Sequence, residues 1–418
     1  MVFQSPRGTT DILPQDQPQW RSVEEVARAV ASRFGYEEIT TPIFEDTALF
    51  ARGIGSSTDI LEKETYTFAD RGGDSMTLRP EGTAPVCRAY LQHGMHNLPQ
   101  PVRLFYLVPN FRYERPQSGR YRAFNQFGIE VFGEDDPYID AEVIEVAWRY
   151  LEELGLKNLS LTINSIGDPS CRPSYIDHLK SYYQPHIAKV CEDCSRRINS
   201  NPLRLLDCKN EPCQQLIENA PKSIEMLCAP CEDHWNALIA NLDEIGLQYE
   251  VENRLVRGLD YYTRTVFEIS PPDEGRMSVI GGGGRYDGLI EELGGNHTPG
   301  IGFGMGIERV IENIRRQNIP QNEQNQPTIM IAHIGSEAKL EAIKLSSQIR
   351  SKGGTSIVAP SRGLRSQLRY ASHIKATEVV IIGDEEIQNG SFPVRNLGNS
   401  EQKNFSRSDI LKMFGVSE

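Results

Sequence analysis

Apolar residues recur every three to four positions at Val23, Val26, Ala27, Val30, Ala31 and Phe34, and Gly35 follows where a helix C-cap belongs. That spacing predicts a helix within 15–34. Tyr36 to Thr40 reads as a short strand stopped by Pro42. Two apolar, aromatic runs between 102 and 132 flank a polar loop with Pro116 and Gly119, the pattern of an antiparallel hairpin. Further strands are expected at 159–163, 262–269 and 277–280. Strands that follow one another through hairpins, with helices grouped between them, predict an α+β fold with a mainly antiparallel sheet.

Residues 171–250 break this pattern: they are Cys-rich, helical in period and lack good strands. They read as a mainly helical insertion, leaving 1–170 and 251–316 as one core. The polar, Gln/Asn-rich run 317–327 reads as a linker. Beyond it, 328–418 alternates strands at 329–334, 355–360 and 378–383 with helices up to 352 and near 364–375. That is the spacing of a small α/β domain with a parallel sheet.

Composition sharpens the class. A chain of 418 residues, 39% hydrophobic and 24% charged, suits two or three globular domains and excludes a disordered or fibrous protein. No apolar run approaches the roughly 18–20 residues of a spanning helix, and Met1 to Thr10 lacks a secretory stretch. A cytoplasmic protein with no membrane partner is expected. The net charge of −13 argues against wholesale nucleic-acid binding. Its distribution modifies that view, because 327–418 holds 12 Lys and Arg against 9 Asp and Glu. Between Glu341 and Glu378 there is no acid and there are seven bases. Arg362, Arg365 and Arg369 are expected on one helix face, opposite Leu364, Leu368 and Ala371, as local phosphate binding requires.

Within the hairpin's second strand, odd positions give the apolar Ala123, Phe127, Ile129 and Val131. Even positions place Phe124, Gln126, Gly128 and Glu130 in one row about 20 Å long, the length of a small metabolite joined to a nucleotide. Read alone, that row is more simply an exposed sheet face. The loop 111–122 carries Arg112, Arg115, Arg120 and Arg122, whose guanidinium forks suit phosphates. Glycines at 281–284, and at alternate positions in GIGFGMGIER (300–309), clear one strand face so that a flat ligand can lie against backbone. Neither the G-x-G-x-x-G fingerprint nor a P-loop is present, so a nucleotide site here needs arginines, Arg309 among them. LVRGLDYY (255–262) puts an Arg, an Asp and two Tyr in one turn before a strand, a set that packing does not explain.

Together with PRGTTDILP (6–14), GYEEITTPIFE (35–45), TLRPEGTA (77–84), FRYERPQSGRYRAFNQFGIE (111–130) and GGGGRYDGL (281–289), these segments closely resemble bacterial histidyl-tRNA synthetases, class II aminoacyl-tRNA synthetases, nearly end to end. The resemblance implies a class II antiparallel sheet with flanking helices and a C-terminal α/β anticodon-binding domain. It implies activation of L-histidine with ATP to histidyl-adenylate and pyrophosphate, then transfer to the 3′ end of tRNA(His) with release of AMP. Residue by residue, it places Glu81, Thr83 and Gln126 at the histidine α-amino group. Glu130 and Tyr262, with Tyr261, would meet the imidazole. Arg112, Arg120 and Arg309 would hold ATP phosphates, with Phe124 against adenine, and Arg257 at the α-phosphate. Arg112 and Arg257 are the implied catalytic pair, with Mg²⁺ on the phosphates. Arg115 and Gln117 would touch the tRNA acceptor end, and the segment 35–45 implies a homodimer. A catalytically silent paralogue is the rival reading, opposed by the presence of Arg112, Arg257, Arg309 and the tail.

The eight cysteines include two Cys-x-x-Cys pairs, Cys191/Cys194 and Cys228/Cys231, with 33 residues between them. That gap exceeds the roughly 15–20 of common zinc sites, and Cys208 and Cys213 offer a competing set. Reduced thiols without bound metal are expected.

Overall fold

The computed structural model describes residues 3–53, 64–115, 119–272, 279–320 and 328–414. The chain divides into two compact units, Met1–Gln321 and Asn322–Glu418.

The first unit is built on an eight-stranded sheet. Its order is Glu37–Glu38, Val102–Phe111, Ala123–Phe132, Gly300–Gly306, Gly281–Arg285, Thr263–Ser270, Ser160–Ser165 and Glu250–Val251. Neighbours run antiparallel except at the two edges, where the short strands pair in parallel. The expected antiparallel hairpin forms, with Val102 opposite Phe132 and Phe111 opposite Ala123. The strand expected at 277–280 begins instead at Gly281; residues 277 and 278 lie outside the described ones. Here the glycine run itself is the strand, because the neighbouring strand leaves no space for side chains: a Cβ on Gly283 would lie 2.0 Å from the Gly302 carbonyl oxygen.

Helices Gln17–Arg33 and Tyr138–Glu153 cover one face of the sheet. Val23, Ala27 and Val30 pack there with Val143, Ile144, Phe127, Ile129 and Val131, the odd row of the hairpin strand. The inner half of the even row, Gly128 and Glu130, is also buried. Tyr106, Tyr286, Tyr262 and the helix Thr83–Gln92 form a second cluster over it, so this is not an exposed sheet face.

The segment 171–250 forms helices Arg172–Tyr183, Glu192–Ser200, Glu211–Ile217 and Ala229–Ile245. Its Tyr175, Leu179, Leu205 and Ile217 join the same cluster as Tyr261 and Tyr286, so it shares a core with the sheet. A small three-stranded sheet, Phe44–Asp46, Ser75–Leu78 and Tyr66–Ala69, completes the unit.

The second unit orders its strands Thr355–Val358, Thr328–His333, Glu378–Ile382, Ser391–Asn396 and Gln402–Ser406. The first three pair in parallel as read, while the last two add antiparallel. That mixed edge corrects the all-parallel reading. Between Glu378–Ile382 and Ser391–Asn396 lies only the six-residue helix Asp384–Asn389, shorter than a parallel crossover uses, and its C-cap Gly390, at φ +63°, returns the chain antiparallel to the strand it left. The helix Leu364–His373 turns Leu364, Leu368 and Ala371 inward. Arg365 and Arg369 are exposed on it; Arg362 is also exposed but precedes the helix, because its backbone closes a turn on Pro360. Among the described residues no helix is long and apolar enough to cross a membrane.

Candidate active site

A cavity of about 500 Å³ opens in the first unit, floored by Gly281, Gly282, Gly304 and Gly306. Around it stand Arg112, Arg120, Phe124, Gln126, Arg257 and Arg309, drawn from the hairpin, the 255–262 turn and the helix Ile307–Arg316. Each arginine is held. Arg112 Nε donates to the Pro80 carbonyl at 2.8 Å, and its guanidinium carbon lies 5.4 Å from the Phe124 ring centroid. Arg309 donates to the carbonyls of Gly119 at 3.0 Å and Val279 at 2.8 Å. Burial lowers the pKa of Arg309, and nearby Arg120 and Arg112 lower it further. Arg120 pairs with Glu114 at 3.2 Å. Arg257 pairs with Glu268, donates to the Gly282 carbonyl at 3.3 Å, and lies 6.0 Å from the Tyr262 ring centroid. Guanidinium groups gathered in a partly dry cleft repel one another, and an anion that accepts from several of them relieves that repulsion.

The row continues inward to Glu130, which is fully buried. Thr83 Oγ1 donates to it at 2.7 Å, the Tyr106 hydroxyl at 3.1 Å, and the Tyr286 hydroxyl closes the ring of donors. Burial nevertheless outweighs these donors and pushes its pKa up to about 8. Glu81 accepts the backbone N–H groups of Thr83 at 2.7 Å and Ala84 at 2.8 Å, satisfying the start of the helix Thr83–Gln92. Burial raises the Glu81 pKa against those bonds. Gln126 Oε1 accepts from Asn110 Nδ2 at 2.7 Å.

Two of the alternate glycines have a use beyond the one read in the sequence. A Cβ on Gly302 would lie 2.0 Å from Glu130 Oε2, and one on Gly304 would lie 2.0 Å from Gln126 Nε2. Those two positions therefore make room for side chains of the adjacent strand, and Gly304 and Gly306 also line the cavity. Tyr261 and Tyr262 are both buried with ring centroids 4.7 Å apart, and Tyr261 lies 5.6 Å from Tyr286, so they link the arginine end to the Glu130 end.

Arg115 is exposed on the hairpin loop, and Gln117 lies outside the described residues. Four cavity-lining residues carried no sequence signal: Glu64, and Arg204, Asp207 and Lys209 from the 171–250 segment. Arg285 of GGGGRYDGL is fully buried, its Nε donating to Asp140 at 3.0 Å, and Thr265 donates to the same carboxylate at 2.6 Å. The structure groups Cys191/Cys194 with the competing set, not with the second Cys-x-x-Cys pair. Cys191 and Cys194 meet Cys208 and Cys213, while Cys228 and Cys231 meet Cys171 and Asp168. Fold proximity decided this, since the helix Glu211–Ile217 returns beside Glu192–Ser200 and spacing alone cannot show that return.

A mainly antiparallel sheet with flanking helices and an arginine-lined cleft in place of a P-loop defines the catalytic unit of a class II aminoacyl-tRNA synthetase. The histidyl-tRNA synthetase family pattern matches residues 8–171 and 172–310, and the anticodon binding domain pattern matches 328–415. The chain belongs to the histidyl-tRNA synthetase family and is an aminoacyl-tRNA synthetase, a ligase. It is 52% identical over 411 residues to a histidine–tRNA ligase of Dehalococcoides mccartyi, covering 98% of both chains. It is 49% identical over 415 residues to a histidine–tRNA ligase of Desulforamulus reducens, again covering 98% of both. The crystal structure of apo S. aureus histidyl-tRNA synthetase matches with a TM-score of 0.83 at 36% identity, over 99% of this chain and 100% of that one.

Proposed function

We infer that the chain charges tRNA(His): it activates L-histidine with ATP to histidyl-adenylate and pyrophosphate, then passes histidine to the tRNA 3′ end and releases AMP. The observation that carries this reading to particular atoms is the row Phe124, Gln126, Glu130, which runs from an arginine-lined cavity to a sealed carboxylate.

The substrate carboxylate is already ionised at neutral pH and needs no general base. What it needs is in-line placement against the α-phosphate and cancellation of repulsion between anions. Arg112 and Arg257 supply that positive charge as the catalytic pair, and Arg120 and Arg309 hold the remaining phosphates. Phe124, already under the Arg112 guanidinium, offers its ring to adenine. Magnesium enters with ATP on the phosphate oxygens as part of that substrate.

Glu81, Thr83 and Gln126 offer oxygens to the histidine ammonium. Glu130, with Tyr261 and Tyr262, reads the imidazole: a side chain lacking ring nitrogens forms no hydrogen bonds with these buried polar groups, and that lost pairing gives selectivity.

For the second substrate, Arg115 and Gln117 meet the acceptor end. Arg362, Arg365 and Arg369 supply phosphate contacts to tRNA in the anticodon-binding unit. The reading includes a C₂ homodimer through 35–45, supported by Ile43 and Phe44, which are 47% and 51% exposed on the small sheet. It also includes the cytoplasm as site of action, consistent with eight free cysteines. Acid-precipitable labelled histidine on tRNA(His), formed only with ATP present, tests the whole reading; labelled tRNA never forming with active substrate tRNA would overturn it.

A further inference from the structure

We propose that this chain holds two structural zinc ions, one in Cys191, Cys194, Cys208 and Cys213 and one in Asp168, Cys171, Cys228 and Cys231. In each group the ligand atoms all lie within 4.8 Å of one another. A tetrahedral zinc with bonds of about 2.3 Å to sulfur sets sulfurs about 3.8 Å apart. Cys191 Sγ and Cys208 Sγ are 3.7 Å apart, and all eight cysteines are free thiols. Seven of those eight fall into the two groups, leaving Cys87 alone.

The sequence spacing fits once the right partners are known. Cys191-x₂-Cys194 and Cys208-x₄-Cys213, with 13 residues between, match the local spacing of thiolate zinc sites. Asp168-x₂-Cys171 and Cys228-x₂-Cys231 repeat the arrangement with a carboxylate as the fourth ligand.

The backbone is set up for thiolates. Cys191, Cys171 and Cys228 occupy the N-cap positions of Glu192–Ser200, Arg172–Tyr183 and Ala229–Ile245, and Cys213 is the third residue of Glu211–Ile217. Helix N-termini offer N–H groups and positive potential to sulfur anions. One such bond is formed, from the Cys191 N–H to Cys213 Sγ at 3.3 Å. At the second group Arg264 Nη2 lies 3.5 Å from Asp168 Oδ2, which offsets the excess negative charge of three thiolates and a carboxylate around a divalent ion. Soft thiolates select zinc over magnesium or calcium, and four protein ligands leave no open position for a reactive water. These sites are therefore structural.

Their place in the fold gives them a purpose. The first zinc closes the loop that carries Arg204, Asp207 and Lys209 to the cavity wall. The second joins the entry of the 171–250 segment to its last helix. Short helices with a small core of their own are stapled in this way.

The test is metal analysis of the full-length protein purified with reductant and without chelator. Two equivalents of zinc per chain are expected, with X-ray absorption showing a sulfur shell at about 2.3 Å. Cys208→Ser and Cys228→Ser are each expected to lose one equivalent and keep the other. Less than half an equivalent after reconstitution with zinc under reductant overturns the proposal. So do variants that retain two equivalents, or a shell of oxygen and nitrogen alone in the unmodified protein, a readout that does not depend on either variant folding.

Discussion

The Thr83 hydroxyl donates to Glu130 Oε1 at 2.7 Å, tying the first turn of a helix to a buried carboxylate on the central hairpin. Glu130 is held near pKa 8, well above its ordinary value of 4.5, chiefly by burial. A group raised in the folded state contributes stability that is complete below its unfolded pKa and is lost as pH rises through its folded one. In the ligand-free protein this loss therefore falls between about pH 4.5 and 8. Glu130→Gln cannot ionise, so its denaturation midpoint is expected to fall less than that of the unmodified chain across this window. Parallel curves for the two proteins would contradict the buried, ionisable carboxylate.

Arg257 meets Glu268 and the floor of the cavity in the free protein. Its charge matters most where phosphate charge builds up in the transition state. Arg257→Ala is expected to lower kcat for adenylate formation by about 10²–10³ with the histidine KM nearly unchanged. Steady-state exchange kinetics check this, and a change confined to KM would remove Arg257 from the chemistry.

Arg285 and Asp140 form a fully buried ion pair. Arg285→Met leaves the Asp140 charge unpaired in the core, a change that costs about 3–5 kcal/mol. Burial also lowers the pKa of nearby His234, so that ring does not readily supply a replacement cation. Urea denaturation of the first unit measures the loss; a change below about 1 kcal/mol would show that the pair is dispensable.

The period-two pattern made the hairpin and the two faces of its second strand legible, and the residues lining the cavity from 111–126, 257 and 309 were all found as sequence segments. Burial of Glu130 was not legible. Tyr106 reaches it from the facing hairpin strand, opposite Gly128, but Tyr286 lies 156 residues away and arrives only because the 300–306 strand, which bonds the Tyr286 N–H at Gly300, pairs with the Glu130 strand. The alternate glycines were visible, but whether the cleared space takes a ligand or a neighbouring side chain depends on strand order. Cys-x-x-Cys spacing marks local ligand pairs yet says nothing about which pair meets which. Arg204, Asp207 and Lys209 gave no signal because a short polar stretch in a helical segment looks like ordinary solvated surface until its fold carries it to the cavity.

Arg365 and Arg369 are one helical turn apart and exposed in the anticodon-binding unit. Removing a phosphate contact weakens tRNA binding without regard to sequence and reduces the salt slope by about one per contact. The double substitution to Ala is expected to raise the tRNA KM and flatten its dependence on salt, with histidine-dependent exchange unchanged. An unaltered salt slope would take these two side chains off the tRNA.

The site assignment is tested most directly by exchange of labelled pyrophosphate into ATP, measured with each amino acid in turn and without tRNA. Exchange is expected with L-histidine alone, and its histidine KM is expected to rise strongly in Glu130→Ala while the ATP KM moves little. Exchange that is absent, that proceeds equally with other amino acids, or that loses histidine and ATP affinity together in Glu130→Ala would contradict the assignment of the imidazole to Glu130.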